Sequence, residues 1–136
     1  MPTKTVVERY NGPVGAANAA VTVSSPAVLS YERRVLSAVY IAYSADSSVD
    51  VTVTINSGLG GDFDILVATL SLSVDRWGVY VPDRPLPLSV GDVIDVLLPA
   101  GGAGITATAQ ILFEVAEEVS DEQKGYQLSE QRMGAR

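Results

Sequence analysis

The sequence predicts an all-β fold, an antiparallel β-sandwich of jelly-roll type with a polar C-terminal tail. Three observations lead there. Apolar residues make up 47% of the 136, aromatic residues only 7% and charged residues 18%, a balance too hydrophobic for a disordered chain and rich in the aliphatics that suit a pleated surface. Two segments alternate apolar and polar side chains with the period of two that marks a half-buried strand. Turn-forming residues recur at short intervals, and no long amphipathic helix separates the runs between them, which argues against βαβ units. The length suits one ordinary domain with one core.

Taken in order, residues 5–10 read as a first strand, closed by Asn11-Gly12-Pro13, and residues 1–12 are expected to be an N-terminal arm or edge strand. Residues 20–23 form a second run, ended by Ser24-Ser25-Pro26, and residues 35–43 a third, ended by Ala45-Asp46-Ser47-Ser48. The fourth is the clearest: Val49, Val51, Val53 and Ile55 alternate with Asp50, Thr52 and Thr54. Asn56-Ser57-Gly58 closes it, and strands at 63–72, 77–81 and 93–98 follow, with Pro82-Asp83-Arg84-Pro85 and Gly91-Asp92 as loops. Residues 105–115 alternate again, with Ile105, Ala107, Ala109, Ile111, Phe113 and Val115 on one face. A helix competes for the second half of this run, since Leu112, Phe113, Ala116 and Val119 share a helical face. The sandwich is expected over residues 13–116 and the polar tail over 117–136, which has little core-forming power of its own. Ordering such a segment costs ~1–2 kcal/mol per residue in backbone entropy, so a partner chain is its expected holder.

Composition removes most chemistry. The chain has no cysteine and no histidine, so disulfides, thiolate nucleophiles, imidazole bases and the usual zinc and iron ligands are absent together. A net charge of -7 repels a phosphate backbone, and the adjacent pair Arg33-Arg34 is no nucleic-acid footprint. No uninterrupted apolar run reaches membrane length and the start Met-Pro-Thr-Lys-Thr-Val-Val lacks signal-peptide character, so neither membrane nor export is expected.

Each remaining motif has a plain reading. Gly102-Ala103-Gly104-Ile105-Thr106-Ala107 matches a dinucleotide fingerprint in form, but a strand pattern follows where a helix is needed, so a hairpin loop is expected. Asp62 and Asp64 flank a glycine-rich turn that, with Asp46 or Asp50, offers oxygen ligands to calcium; ordinary Asp turn chemistry is the stronger reading. Nothing selects an acid-base pair from Asp62, Asp64, Asp75, Asp83, Asp92 and Asp95. Ser24, Ser25, Ser47 and Ser48 have no histidine to activate them, and no Ser-x-x-Lys sequence is present. Trp77, Tyr80, Tyr40 and Tyr43 suggest a platform for sugar rings, but Trp77, Val79 and Val81 alternate as one face, expected to point inward and supply core area. No catalytic residue, cofactor or metal site is therefore assigned, and the chain is expected not to be an enzyme.

The stretch Trp77-Gly-Val-Tyr-Val-Pro-Asp-Arg-Pro-Leu-Pro-Leu-Ser-Val-Gly-Asp-Val-Ile-Asp-Val-Leu-Leu-Pro, followed by Ile105-Thr-Ala-Thr-Ala-Gln-Ile-Leu-Phe, resembles the last strands of small jelly-roll modules. In these a proline-bounded strand leads to Leu-x-x-Gly-Asp-x-Ile and a final long strand. Such modules are similar to the capsid decoration (cement) proteins of tailed bacteriophages and to tumour-necrosis-factor-like and receptor-binding trimers. The resemblance implies a virion structural protein, a homotrimer by analogy, whose partners are capsid or other virion proteins. A carbohydrate- or receptor-binding tip module of a tail or fibre is the alternative it implies.

Overall fold

A computed structural model describes residues 3–118. The tail expected over 117–136 lies outside the described residues beyond Glu118, which ends the last strand. Among the described residues there are nine strands: β1 Thr3–Asn11, β2 Val21–Ser24, β3 Glu32–Ser47, β4 Asp50–Asn56, β5 Ile65–Ser71, β6 Asp75–Tyr80, β7 Leu86–Leu88, β8 Val93–Leu98 and β9 Ala107–Glu118. One 3-10 turn, Gly61–Phe63, is the only helical element among them, and none is long and apolar enough to cross a membrane.

The strands form two antiparallel sheets with orders β1-β9-β3-β6 and β2-β8-β4-β5, and β7 also pairs with β3. Four of the ladders, β1 with β9, β2 with β8, β3 with β6 and β4 with β5, describe one long hairpin running out and back. Rolling it so that successive pairs fall in alternate sheets creates the remaining β9–β3 and β8–β4 ladders. That is jelly-roll topology. Its returning strand opposite β3 is split: β6 pairs with Val39 to Ser47 and β7 with Arg34 to Leu36, while the Pro82-to-Pro85 loop bulges between them. The sixteen residues of β3 are long enough to hold both pieces.

The inner faces close on one core. Val23 of β2, Val51 and Val53 of β4 and Ile94, Val96 and Leu98 of β8 meet Leu36, Val39, Ile41, Ile111 and Phe113 of the opposite sheet. The alternation expected for residues 49–55 and 105–115 is the one observed, except that the last strand begins at Ala107 and runs on to Glu118 with no helical turn. β3 does not alternate simply. A bulge between Leu36 and Ala38, with Ser37 unpaired to β9, shifts the phase so that Glu32, Arg34 and Leu36 face inward before it and Val39, Ile41 and Tyr43 after it.

Residues 3–11 lie antiparallel along β9 as the outer strand of their sheet, and Tyr10 packs against the core. At the end of β1 the chain crosses to β2 through Gly12, where an added Cβ would stand 2.4 Å from the Val23 side chain. Thr108 Oγ1 anchors this crossing by reaching the Gly12 and Pro13 carbonyls at 3.1 and 2.9 Å.

Tyr43 closes the same end of the core, its hydroxyl donating to the Pro99 carbonyl at 2.7 Å. Burial pushes its pKa up from 10.0 to about 12. Between those values the unfolded chain has released the proton while the folded chain keeps it, so stability should fall as pH rises through this window. Tyr43→Phe should flatten that part of the profile, as urea unfolding followed across the window will show.

Candidate functional site

Two surfaces stand out, one on a sheet face and one at an end of the sandwich. The first is a groove on the outer face of the β9-β3-β6 sheet. Cross-strand register sets Gln110, Tyr40 and Val79 side by side in one row and Thr108, Ala42 and Trp77 in the next. Ala42 is the small member in the middle, so larger neighbours stand around a depression of about 320 Å³ floored by the backbone of Ile41, Gly78 and Ala109.

Trp77 is 68% exposed, and Val79 and Val81 are exposed with it, which corrects the expectation that the three point inward. The reason lies at Gly78, where a Cβ would come within 2.9 Å of Ile41 Cδ1 and 3.3 Å of Leu72. The core beneath β6 has no room for a side chain there, so the strand takes the phase that turns Gly78 and Tyr80 inward and the indole outward. The aromatic quartet accordingly divides: Tyr43 and Tyr80 pack with the core, while Tyr40 and Trp77 line the groove.

The electrostatics of the groove differ from those of the chain. No lining residue is charged, yet two guanidinium groups lean on its aromatics, Arg9 at 5.9 Å from the Tyr40 ring centre and Arg76 at 5.2 Å from that of Trp77. The neighbouring Asp75 carboxylate is turned back on the Ser73 amide at 3.0 Å. The Thr108 hydroxyl is engaged with the β1–β2 crossing, whereas the Gln110 side-chain amide, projecting from a central strand, makes no hydrogen bond to the described residues.

The second surface is the apolar end around the β4–β5 tip. Gly58 packs on the Gly91 turn, its N–H donating to Asp92 Oδ1 at 3.1 Å while Asp92 Oδ2 accepts from Ser89 N at 2.8 Å. Gly91 has φ 85, a conformation that glycine adopts without strain. This frame carries Leu59, Phe63, Ile65, Leu66 and Val90 into solvent, with Ile65 57% and Leu66 61% exposed. A cleft of about 600 Å³ opens between the tip and the β7–β8 turn, lined by Ile55, Leu59, Phe63, Ile65, Pro87 and Val90 among others. β5 is the outer strand of its sheet, and its sequence Ile-Leu-Val-Ala-Thr-Leu-Ser holds no charge or proline to protect the edge.

The other sequence candidates fall into structural roles. Asp64 Oδ1 accepts the Ser57 N–H at 2.8 Å, which is the expected turn chemistry, and Asp62 lies exposed in the 3-10 turn beside it. Asp46 and Asp50 sit at the β3–β4 end, and no group of three or more carboxylates gathers among the described residues. Gly102 and Gly104, with φ 125 and 75, form the β8–β9 loop expected of them. Asp95 joins Ser24 and Asn56 at 2.7 and 3.1 Å on the outer face of the second sheet, and Ser25 Oγ accepts the Ile94 N–H. Arg33 is exposed, but Arg34 is buried and paired with Glu32 at 3.0 Å.

The sequence names Tyr40 and Trp77 as platform candidates but the inward phase expected for Trp77 hides the groove, and the apolar end is missed altogether. The signal for the groove was Gly78 between Trp77 and Val79, a strand with its bulky phase opposite its tight one. For the apolar end it was an uncharged run at 65–72 without clean alternation.

No family model and no curated protein matches the chain. Among solved structures it is similar to the family 32 carbohydrate-binding module from C. perfringens NanJ in complex with galactose, at 13% identity and TM-score 0.42 over 79% of this chain and 93% of that one. It is also similar to a family 29 carbohydrate-binding module (16%, 0.39, 85% and 90%) and to the Tobacco streak virus coat protein (11%, 0.40, 89% and 90%).

Proposed function

We propose that this chain is a non-enzymatic assembly module of a virus particle, a capsid decoration protein of the tailed-phage kind that clusters through its apolar end. The observation that carries the reading is the unprotected β5 edge with Leu59, Phe63, Ile65, Leu66 and Val90 gathered beside it. Monomeric domains guard such edges with charge, proline or a covering element, because a free strand edge flanked by apolar side chains pairs with other chains. The resemblance of residues 77–113 to decoration modules supports placing that assembly in a virion. A closed homo-oligomer, a trimer by analogy, would bury one such patch per subunit in a repeated contact.

Light scattering on the purified chain tests this. The wild type should give a discrete oligomer, and Leu66→Lys, with its side chain on the solvent side of β5, should shift it to a monomer that keeps the β-rich circular dichroism of the wild type. A wild type that stays monomeric at high concentration would count against the reading.

The outward indole supports a second reading, a carbohydrate- or receptor-binding tip module. An exposed tryptophan and a half-buried tyrosine beside the small residues Ala42 and Gly78 form a platform that core packing does not call for. The two readings use different surfaces of the molecule, so one chain can serve both.

A further inference from the structure

We infer that the groove across β9, β3 and β6 binds an acidic sugar, a pyranose ring bearing a carboxylate. The inference rests on the second reading above and adds the charge of the ligand.

Four features point to it. Two of the groove's three strands, β9 and β3, are central ones whose backbone groups are paired on both sides along these residues, while β6 is the outer strand of the sheet. A ligand lying over the floor of the groove finds no free backbone groups there, so its recognition falls to side chains, and strand addition is open only along the outer edge of β6. Those side chains are Trp77 and Tyr40, flat apolar faces that suit the C–H face of a sugar ring, and Gln110, whose amide both donates and accepts as a hydroxylated ring requires. The volume of about 320 Å³ is that of one small ring rather than a macromolecular footprint.

Charge completes the assignment. The chain carries 16 acidic against 9 basic side chains, yet the groove is lined by none of the acidic ones and is flanked by Arg9 and Arg76. Each guanidinium is held against an aromatic ring of the groove, which places a forked donor where a ligand carboxylate would lie and lowers the entropy lost on engaging it. In a surface of net charge -7 this is a local reversal of sign, and an anion finds its attraction there.

Trp77 is the single tryptophan, so intrinsic emission reports on the groove directly. The full chain is titrated with galacturonate trimer and its neutral galactose counterpart, and with sialyllactose and lactose. An acidic member should change the emission saturably and bind roughly tenfold tighter than its neutral partner, a difference of about 1.4 kcal/mol. Arg9→Ala with Arg76→Ala should abolish the preference at unchanged melting temperature, and calorimetry on Trp77→Ala should show no binding. Equal affinity for neutral and acidic sugars would overturn the acidic assignment and leave the glycan reading standing. No saturable response to any sugar would overturn both. A polyglutamate peptide that saturates where the sugars do not would replace the sugar by an acidic peptide. Emission that changes with protein concentration alone would show a second copy in the groove and equally refute the proposal.

Discussion

Replacing Phe113 by alanine should cost about 3–5 kcal/mol of folding stability, a large share of the ~5–15 kcal/mol that holds a domain of this kind together. Phe113 is the largest of the fully buried side chains, on β9 opposite Leu36, so the void left behind lies between two central strands that cannot easily collapse into it. The ring has a second task. The Arg34 guanidinium lies 4.9 Å from its centre, and without the ring that buried cation loses its apolar support. Phe113→Leu keeps most of the volume and discards the π face, so it should cost less, about 1–2 kcal/mol, and the gap between the two variants separates cavity from cation–π contact. Urea unfolding with a shared slope provides the measurement.

Removing Glu32 should be as damaging, although it deletes no hydrophobic area. Glu32 and Arg34 share the inward face of β3 at the apolar end, with side chains only 3% and 7% exposed. Glu32 Oε1 accepts from Arg34 Nη2 at 3.0 Å and from the Leu29 N–H at 2.9 Å, while Arg34 Nη1 reaches the Pro26 carbonyl at 3.5 Å. The pair thus fastens the β2–β3 loop to the core. Arg34 Nε has no partner among the described residues, so the cation is already short of one bond. Glu32→Ala leaves it buried and uncompensated, at a cost of about 3–5 kcal/mol. Adding Arg34→Met to that variant should recover part of the loss, because it removes the stranded charge while the void at position 32 and the freed Leu29 N–H remain. If the double variant is no more stable than Glu32→Ala alone, the loop contacts rather than the stranded charge account for the effect.

These residues also show where the sequence was legible. Val49 to Ile55 and Ile105 to Val115 could be assigned because one phase is apolar and the other polar, so the buried face names itself. β6 could not, because Trp77, Val79 and Val81 on one phase and Tyr80 on the other both look like core. Only the Ile41 side chain lying beneath Gly78, contributed from a distant strand, decides between them. β7 was hidden because Pro85 and Pro87 read as loop, and proline is tolerated there because β7 pairs with β3 on one side alone. The bulge at Ser37 has no sequence signature, and it is what turns Arg34, half of an unremarkable basic doublet, into a buried ion-pair partner. The groove depends on all of these long-range facts at once: register across three strands, the choice of phase on β6 and the reach of Arg9 from β1.

The central proposal is that the apolar end is an assembly contact, and electron cryomicroscopy of the virus particles proposed to carry this chain tests it most directly. The account predicts symmetric clusters of the module on the shell, in icosahedral multiplicity, with Phe63, Ile65, Leu66 and Val90 buried between subunits or against the shell and the Trp77 groove open to solvent. Isolated copies with the β5 edge and tip bare to solvent would contradict it.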